Sequence, residues 1–232
     1  MMEFTTTTCS GRLIDLTDPK PGDIVLAEIA KSLSQQNRFN GNLEQNYTVL
    51  EHSMCGANLF VLNKMYSHAI TFLLHDAHEA YIGDIASPVK RYLSVYTDAL
   101  RNLEVSFNEA IRKKLMPDSA VPFDNDLVVA VDRRLGEREH AWAWGCRGGV
   151  SRNVPPIPDE LQPHEAWKGY TVSLARTFTN WKPTSRMQKF VCDVFYQRDQ
   201  FTPKKSQEVF LEYYDLLLSQ LAKEEIKARG DK

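Results

Sequence analysis

An all-α protein is what this sequence predicts. Apolar residues recur at helical spacing along most of the 232 residues, strand-like alternation is nearly absent, and helix caps and stops punctuate the apolar faces. The chain is long enough for one large domain, or for a domain with an appendage, around a real core. An apolar fraction of 43% and a charged fraction of 25% are those of an ordinary soluble protein. A formal charge of −2 offers no strong field for a nucleic acid polymer or a membrane surface. An anionic substrate would have to be drawn by local groups, which favours a small phosphate-bearing molecule.

The elements follow in order. Residues 5–8 are a low-complexity threonine run, expected as a mobile end. Leu26, Ile29, Ala30 and Leu33 form one short amphipathic face. Thr48-Val49-Leu50-Glu51 matches a capping box, which starts a helix and sets His52 about one turn in. Residues 67–82 read as the next helix, ended by Gly83. Leu100, Leu103, Phe107 and Ile111 make the stripe of a long helix stopped near Pro117. Asp124 or Asn125 caps another, running through Asp132 toward Trp144. A Gly- and Pro-rich loop is expected at 145–163. Helical patterns follow with Trp167 to Phe178, with Met187 to Val194, and with Val209 to Leu221. This divides the chain into a core at 1–150 and a C-terminal helical extension at 151–232, packed on the core. Trp142, Trp144, Trp167 and Trp181 read as packing or interface residues.

Four scattered cysteines, Cys9, Cys55, Cys146 and Cys192, form no CxxC pair and read as reduced thiols. The N-terminus has no basic segment followed by an apolar run, and no stretch reaches the roughly 18 apolar residues of a membrane span. A soluble, cytoplasmic protein is the expectation.

Chemistry concentrates at Phe72-Leu73-Leu74-His75-Asp76-Ala77-His78-Glu79. On a continuous helix, at about 100° per residue, His75, Asp76 and Glu79 would share an arc of about 100°. Taken singly, each reads as an ordinary surface or capping residue. Together on an apolar flank, an imidazole and two carboxylates call for a compensating cation. Asp132 makes the same case independently, since Val128 and Leu135 put it in the apolar stripe of its helix. Mixed His and Asp sets suit divalent transition ions. A zincin motif is excluded, because His75 and His78 are three apart and the Glu follows both. No Walker loop or dinucleotide-binding glycine run is present.

The order His52, then His75-Asp76, then Asp132, on successive helices, resembles the H…HD…D signature of the HD superfamily of phosphohydrolases. Residues 74–90, LHDAHEAYIGDIASPVK, resemble the HD(A)xE…GD(I/L)xxPVK run of bacterial 5′-deoxynucleotidases and of related phage dATP triphosphohydrolases. Asn37-Arg38-Phe39 followed by Tyr47-Thr48-Val49-Leu50-Glu51-His52-Ser53 fits the same branch. The resemblance covers roughly residues 12–145.

It implies an HD-domain helical bundle with additional C-terminal helices. His52, His75, Asp76 and Asp132 would hold one divalent ion, with two imidazoles favouring Co, Mn or Zn over Mg. Glu79 would serve as acid or base, and is otherwise an exposed helix carboxylate. Asp84 is either a contact to water or sugar near the ion, or a polar residue of the turn after Gly83. Arg38 would pair with a substrate phosphate, against the simpler reading of an exposed side chain. Lys90 adds phosphate charge or is solvated. Phe39 stacks on a base or belongs to the core. The implied substrate is a 5′-deoxynucleotide, monophosphate or triphosphate, in a bacterium or a phage-infected cell. The Arg12-Leu13-Ile14-Asp15-Leu16 run, resembling the phage group, tips the balance toward deoxyadenosine nucleotides such as dATP. A homo-oligomer, dimer or larger ring, is expected from the relatives. Two alternatives stand beside this reading: a guanosine tetraphosphate-type hydrolase, and a nucleotide-binding scaffold stabilised by its metal.

Overall fold

The computed structural model describes residues 4–43, 46–144 and 202–230. These are mostly helical, with a two-stranded sheet as the β structure. The expected loop at 145–163, the core boundary at 150 and the segments carrying Trp167, Trp181 and Met187 lie outside the described residues.

The first correction comes at the N-terminus. The threonine run is a strand: β1 (Thr5–Thr7) pairs antiparallel with β2 (Leu13–Asp15), with Thr6 opposite Ile14. Three β-branched residues suit a pleated ribbon, and Ile14 is buried to anchor it. Helix α1 (Leu26–Leu33) buries Ile29, Ala30 and Leu33 as its periodicity predicts, but also Glu28. That carboxylate is occupied by the hairpin. Thr8 Oγ1 donates to it over 2.8 Å, Ser10 Oγ and the Arg12 guanidinium donate as well, and Arg12 Nη2 also reaches the Asp23 carbonyl at 2.8 Å.

The Arg12 guanidinium, with Ser10 and Thr8, outweighs burial and holds the Glu28 carboxyl down at about 2. A depressed carboxyl pKa stabilises the fold above its unfolded value, here 4.5, and this contribution is lost as pH falls toward 2. Acid titration followed by circular dichroism should therefore show stability falling from pH 4.5 downward by about 2–3 kcal/mol from this group. Arg12→Ala should remove most of that dependence.

Helix α2 (Val49–Leu62) begins at the predicted capping box: Thr48 N donates to Glu51 Oε2 at 2.7 Å and Glu51 N donates to Thr48 Oγ1 at 3.2 Å. From His52 to Leu62 it is buried at every position, so it is enclosed all round rather than striped, with Ser53 and Asn58 among its buried residues. It ends with Lys64 at φ +59° and Met65 N donating to the Phe60 carbonyl at 2.9 Å, a left-handed helix stop. Helix α3 (Tyr66–Leu74) then packs back on it. Phe60 and Phe72 lie 5.8 Å apart, and a Cβ added at Gly56 would stand 1.9 Å from Phe72 Cε1. Gly56→Ala should thus destabilise the fold by about 1–3 kcal/mol, read by chemical denaturation, because the Phe72 ring is fully buried and has nowhere to move.

The second correction concerns the predicted helix at 67–82. It breaks: α3 ends at Leu74, residues 75–78 form turns, and a one-turn helix α4 (Glu79–Ile82) follows, closed by Gly83 at φ +86°. Across the break the backbone pairs three residues apart, with Ala77 N on the Leu74 carbonyl and Glu79 N on the Asp76 carbonyl, each at 3.0 Å. Helix α5 (Ser87–Ser94) carries Pro88 in its first turn, and α6 (Ala99–Leu115) stops before Pro117 as expected. Tyr81 of α4 stacks on Phe107 of α6, with ring centroids 5.0 Å apart. Asn125 proves to be the cap of α7 (Asp126–Trp144), accepting from Leu127 N at 3.1 Å. The last described helix, α8 (Pro203–Gly230), fixes its first half through Gln207 Nε2 donating to Ser34 Oγ at 2.9 Å and Tyr214 Oη donating to the Leu115 carbonyl at 2.6 Å.

The described residues fall into two compact units. One comprises those of Met1–Ser53, Leu74–Asp118 and Thr202–Asp215. The other comprises those of Met54–Leu73, Ser119–Phe201 and Leu216–Lys232. The first holds the hairpin, α1 and α4–α6; the second holds most of α2 and α3, with α7. Among the described residues, no helix is long and apolar enough to cross a membrane.

Candidate metal centre

The break at 75–78 is what shapes this site. His75 and Asp76 follow the last residue of α3 in tight turns, and His52 meets them from the first turn of α2. His52 is fully buried, and its Nε2 lies 3.4 Å from His75 Nε2. Asp76 Oδ2 stands 3.1 Å from His75 Nε2 and 3.8 Å from His52 Nε2. One donor atom each from His52, His75 and Asp132 lies within 4.8 Å of the others. Asp132 is half-buried rather than deep in its helix stripe. This group can hold a metal ion.

The donor chemistry fits such an ion. Two nitrogen ligands about 2.0–2.1 Å from a tetrahedral ion stand about 3.4 Å apart. Two imidazole nitrogens aimed at one another can share only one proton between them, whereas a cation satisfies both, together with the carboxylates.

Around this group the predicted residues sort themselves. Arg38 Nη1 lies 3.6 Å from Asp76 Oδ2, so the guanidinium is drawn in rather than exposed. Its Cζ also sits 5.7 Å from the centre of the Phe39 ring. Phe39 and Asn40 adopt left-handed backbone, at φ +58° and +55°, in a turn completed by Gly41. Strained conformations at non-glycine residues cluster where a backbone is over-determined for function. Phe39 is half-buried.

Glu79 is 4% exposed and opens α4. Burial, reinforced by the charges of Asp76 and Asp84, pushes its carboxyl up to about 9, against the pull of Lys90 and Arg38. Burial likewise raises Asp84, with Arg38 opposing. Lys90 Nζ stands 2.8 Å from Glu104 Oε1 and 3.5 Å from Glu79 Oε1, so it is committed to carboxylates and not simply solvated. Burial disfavours its charge, yet the hydrogen bond to Glu104 and the charge of Glu79 prevail and raise its pKa. His78 Nε2 lies 3.8 Å from Glu104 Oε1, and burial lowers its pKa.

Two residues carried no sequence signal. Glu104 lies on α6 at a position that reads as an ordinary helix carboxylate. Gln36 hydrogen-bonds to residues 43 and 48 positions away, which no local pattern reveals. An open cleft of about 300 Å³, lined by Thr8, Lys31, Ser32, Gln35, Gln36 and Tyr81 among others, contains none of the predicted site residues.

Among proteins of known sequence, YfdR of Escherichia coli K12 is 34% identical over 143 residues, spanning 58% of this chain and 76% of YfdR. The chain belongs to the YfdR family. A second relative, an uncharacterized protein of Rhodobacter capsulatus, is 40% identical over 88 residues, which is 35% of this chain and 44% of that protein. No family profile matches the chain. YfdR is itself an uncharacterized protein, so membership of the YfdR family fixes ancestry and leaves activity to be argued from the residues.

Proposed function

We propose that this chain is a divalent-metal-dependent phosphohydrolase of the HD type that cleaves the 5′-phosphoester of deoxynucleotides. The observation that carries the reading is the convergence of His52, His75 and Asp132, with Asp76 against the imidazoles and a buried Glu79 three residues further on. His52, His75, Asp76 and Asp132 would hold the ion. When bound, it would neutralise phosphate charge and lower the pKa of a coordinated water.

The rest falls to the protein's own groups. Arg38, beside Asp76, has the planar donors that suit a phosphate oxygen, and the Phe39 ring next to it offers an aromatic face to a base. Glu79 can receive the proton of the attacking water or give one to the departing 5′-oxygen. Lys90, held between Glu79 and Glu104, balances the charge that Glu79 gains or loses. A metal that only stabilised a scaffold would need the ligands but no acid or base beside them, and Glu79 favours an enzyme on that ground.

The test is a product assay of the purified chain with each dNMP and dNTP and with Co²⁺, Mn²⁺, Zn²⁺ or Mg²⁺. Release of a deoxynucleoside, with phosphate from a dNMP or triphosphate from a dNTP, is the expected result. Deoxyadenosine substrates are expected to lead, and Mg²⁺ to support the reaction least. No product from any of them would overturn the reading in favour of a scaffold.

A further inference from the structure

We infer that Gln36 is a positioning residue, one side-chain amide that holds both ends of α4 and so sets where Glu79 and Asp84 stand beside the imidazole pair. Its Nε2 donates to the Glu79 carbonyl at 2.9 Å and to Ser32 Oγ at 2.9 Å. Its Oε1 accepts from Asp84 N at 3.0 Å. The amide thus reaches from the first residue of α4 to the residue just past its closing glycine. Ser32 Oγ adds a bond to the Ala80 carbonyl at 3.1 Å, so α4 is tied to the end of α1 at three points.

This clamp answers a real need. A four-residue helix has a single turn of its own hydrogen bonds and is far too short to be stable by itself. Something tertiary must hold it, and stacking of Tyr81 on Phe107 secures only one face. The Gln36 backbone extends the same connection, since its carbonyl accepts from Val49 N at 3.0 Å, at the start of the helix that carries His52. Arg38 follows two residues later, beside Asp76. One segment thereby places the residues at 79 and 84, the first turn of α2 and the guanidinium in a common frame. Glutamine is suited to the task because it donates and accepts through one rigid plane. Leucine of similar size would do neither.

The assignment of Glu79 as acid or base rests on the proposed phosphohydrolase reading; the clamp itself does not. The experiment therefore measures both, using the full chain and the variants Gln36→Leu and Gln36→Ala. Amide hydrogen exchange is followed over residues 79–84, Co²⁺ binding by titration, and steady-state kinetics with the best deoxynucleotide. In the wild type the Asp84 N–H should exchange slowly. In both variants it should exchange at least about tenfold faster, while Co²⁺ binds as in the wild type. Turnover should fall by about 10–100-fold with KM changed less than about twofold, because misplacing a reacting group costs rate rather than binding. An Asp84 amide that exchanges at the same rate with and without Gln36 overturns the inference whatever the activity. Faster exchange with unchanged turnover overturns the positioning role and leaves Gln36 a structural residue. If the wild type hydrolyses nothing, the phosphohydrolase reading fails, and the exchange data alone uphold or overturn the clamp.

Discussion

Glu79→Gln is expected to lower turnover by about 10²–10⁴-fold while leaving the protein folded and its ion bound. Positioned acid–base groups contribute about that much to a rate, and glutamine keeps the shape while losing the exchangeable proton. The variant should fold for a specific reason. The Glu79 carboxyl is buried and pushed up to about 9, so in the ion-free chain it is already neutral at pH 7. A neutral amide of the same size replaces it without exposing or burying a new charge. Cobalt titration should give the wild-type affinity, because Glu79 lies outside the His52, His75 and Asp132 donor group. A Glu79→Gln protein with wild-type turnover would remove Glu79 from the chemistry. Loss of cobalt binding in the same variant would move Glu79 among the ligands instead.

His75→Ala should do the reverse and abolish both metal binding and activity. His75 Nε2 stands 3.4 Å from His52 Nε2 and 3.1 Å from Asp76 Oδ2, so its removal takes a nitrogen donor out of the set. Added Co²⁺ or Mn²⁺ at 100 times its dissociation constant should stabilise the wild type by about 2.7 kcal/mol. The thermal midpoint of His75→Ala should not respond to either ion. His78→Gln is the informative contrast. It lies three residues on and is a buried histidine, but its Nε2 is turned toward Glu104. That variant should keep the ion-dependent shift. Equal loss in both would mean that the ligands had been misassigned; an undiminished shift in His75→Ala would exclude this metal centre altogether.

Much of the framework was legible because it is local. The Thr48–Glu51 capping box, the amphipathic face of α1, the stop of α6 before Pro117 and the stripe around Val128 and Leu135 all depend on residues within one or two turns. The threonine run was misread because its meaning depends on Leu13–Asp15, across a turn that carries no strong hairpin dipeptide. The helix break at 75–78 was misread because its residues are compatible with a continuous helix. What holds α4 in place is tertiary: Gln36 and Ser32 donate to its Glu79 and Ala80 carbonyls, and Gln36 accepts from Asp84 N just beyond it.

The sequence by itself determined a helical chain, the residues rich in chemistry and the periodicity that buries them. Tertiary structure decided what those residues face. His52 carried no signal of its own and became half of an imidazole pair only when α2 met the end of α3. Glu28, which no local pattern marks, is a buried acid held by Arg12 from sixteen residues away. Lys90 turned from solvent to Glu79 and Glu104. The physical reason is common to all three. Helix formation is set by hydrogen bonds four residues apart, which a sequence displays. Charge and metal chemistry depend on desolvation and on distances of a few ångströms between residues far apart in the chain, which only packing creates.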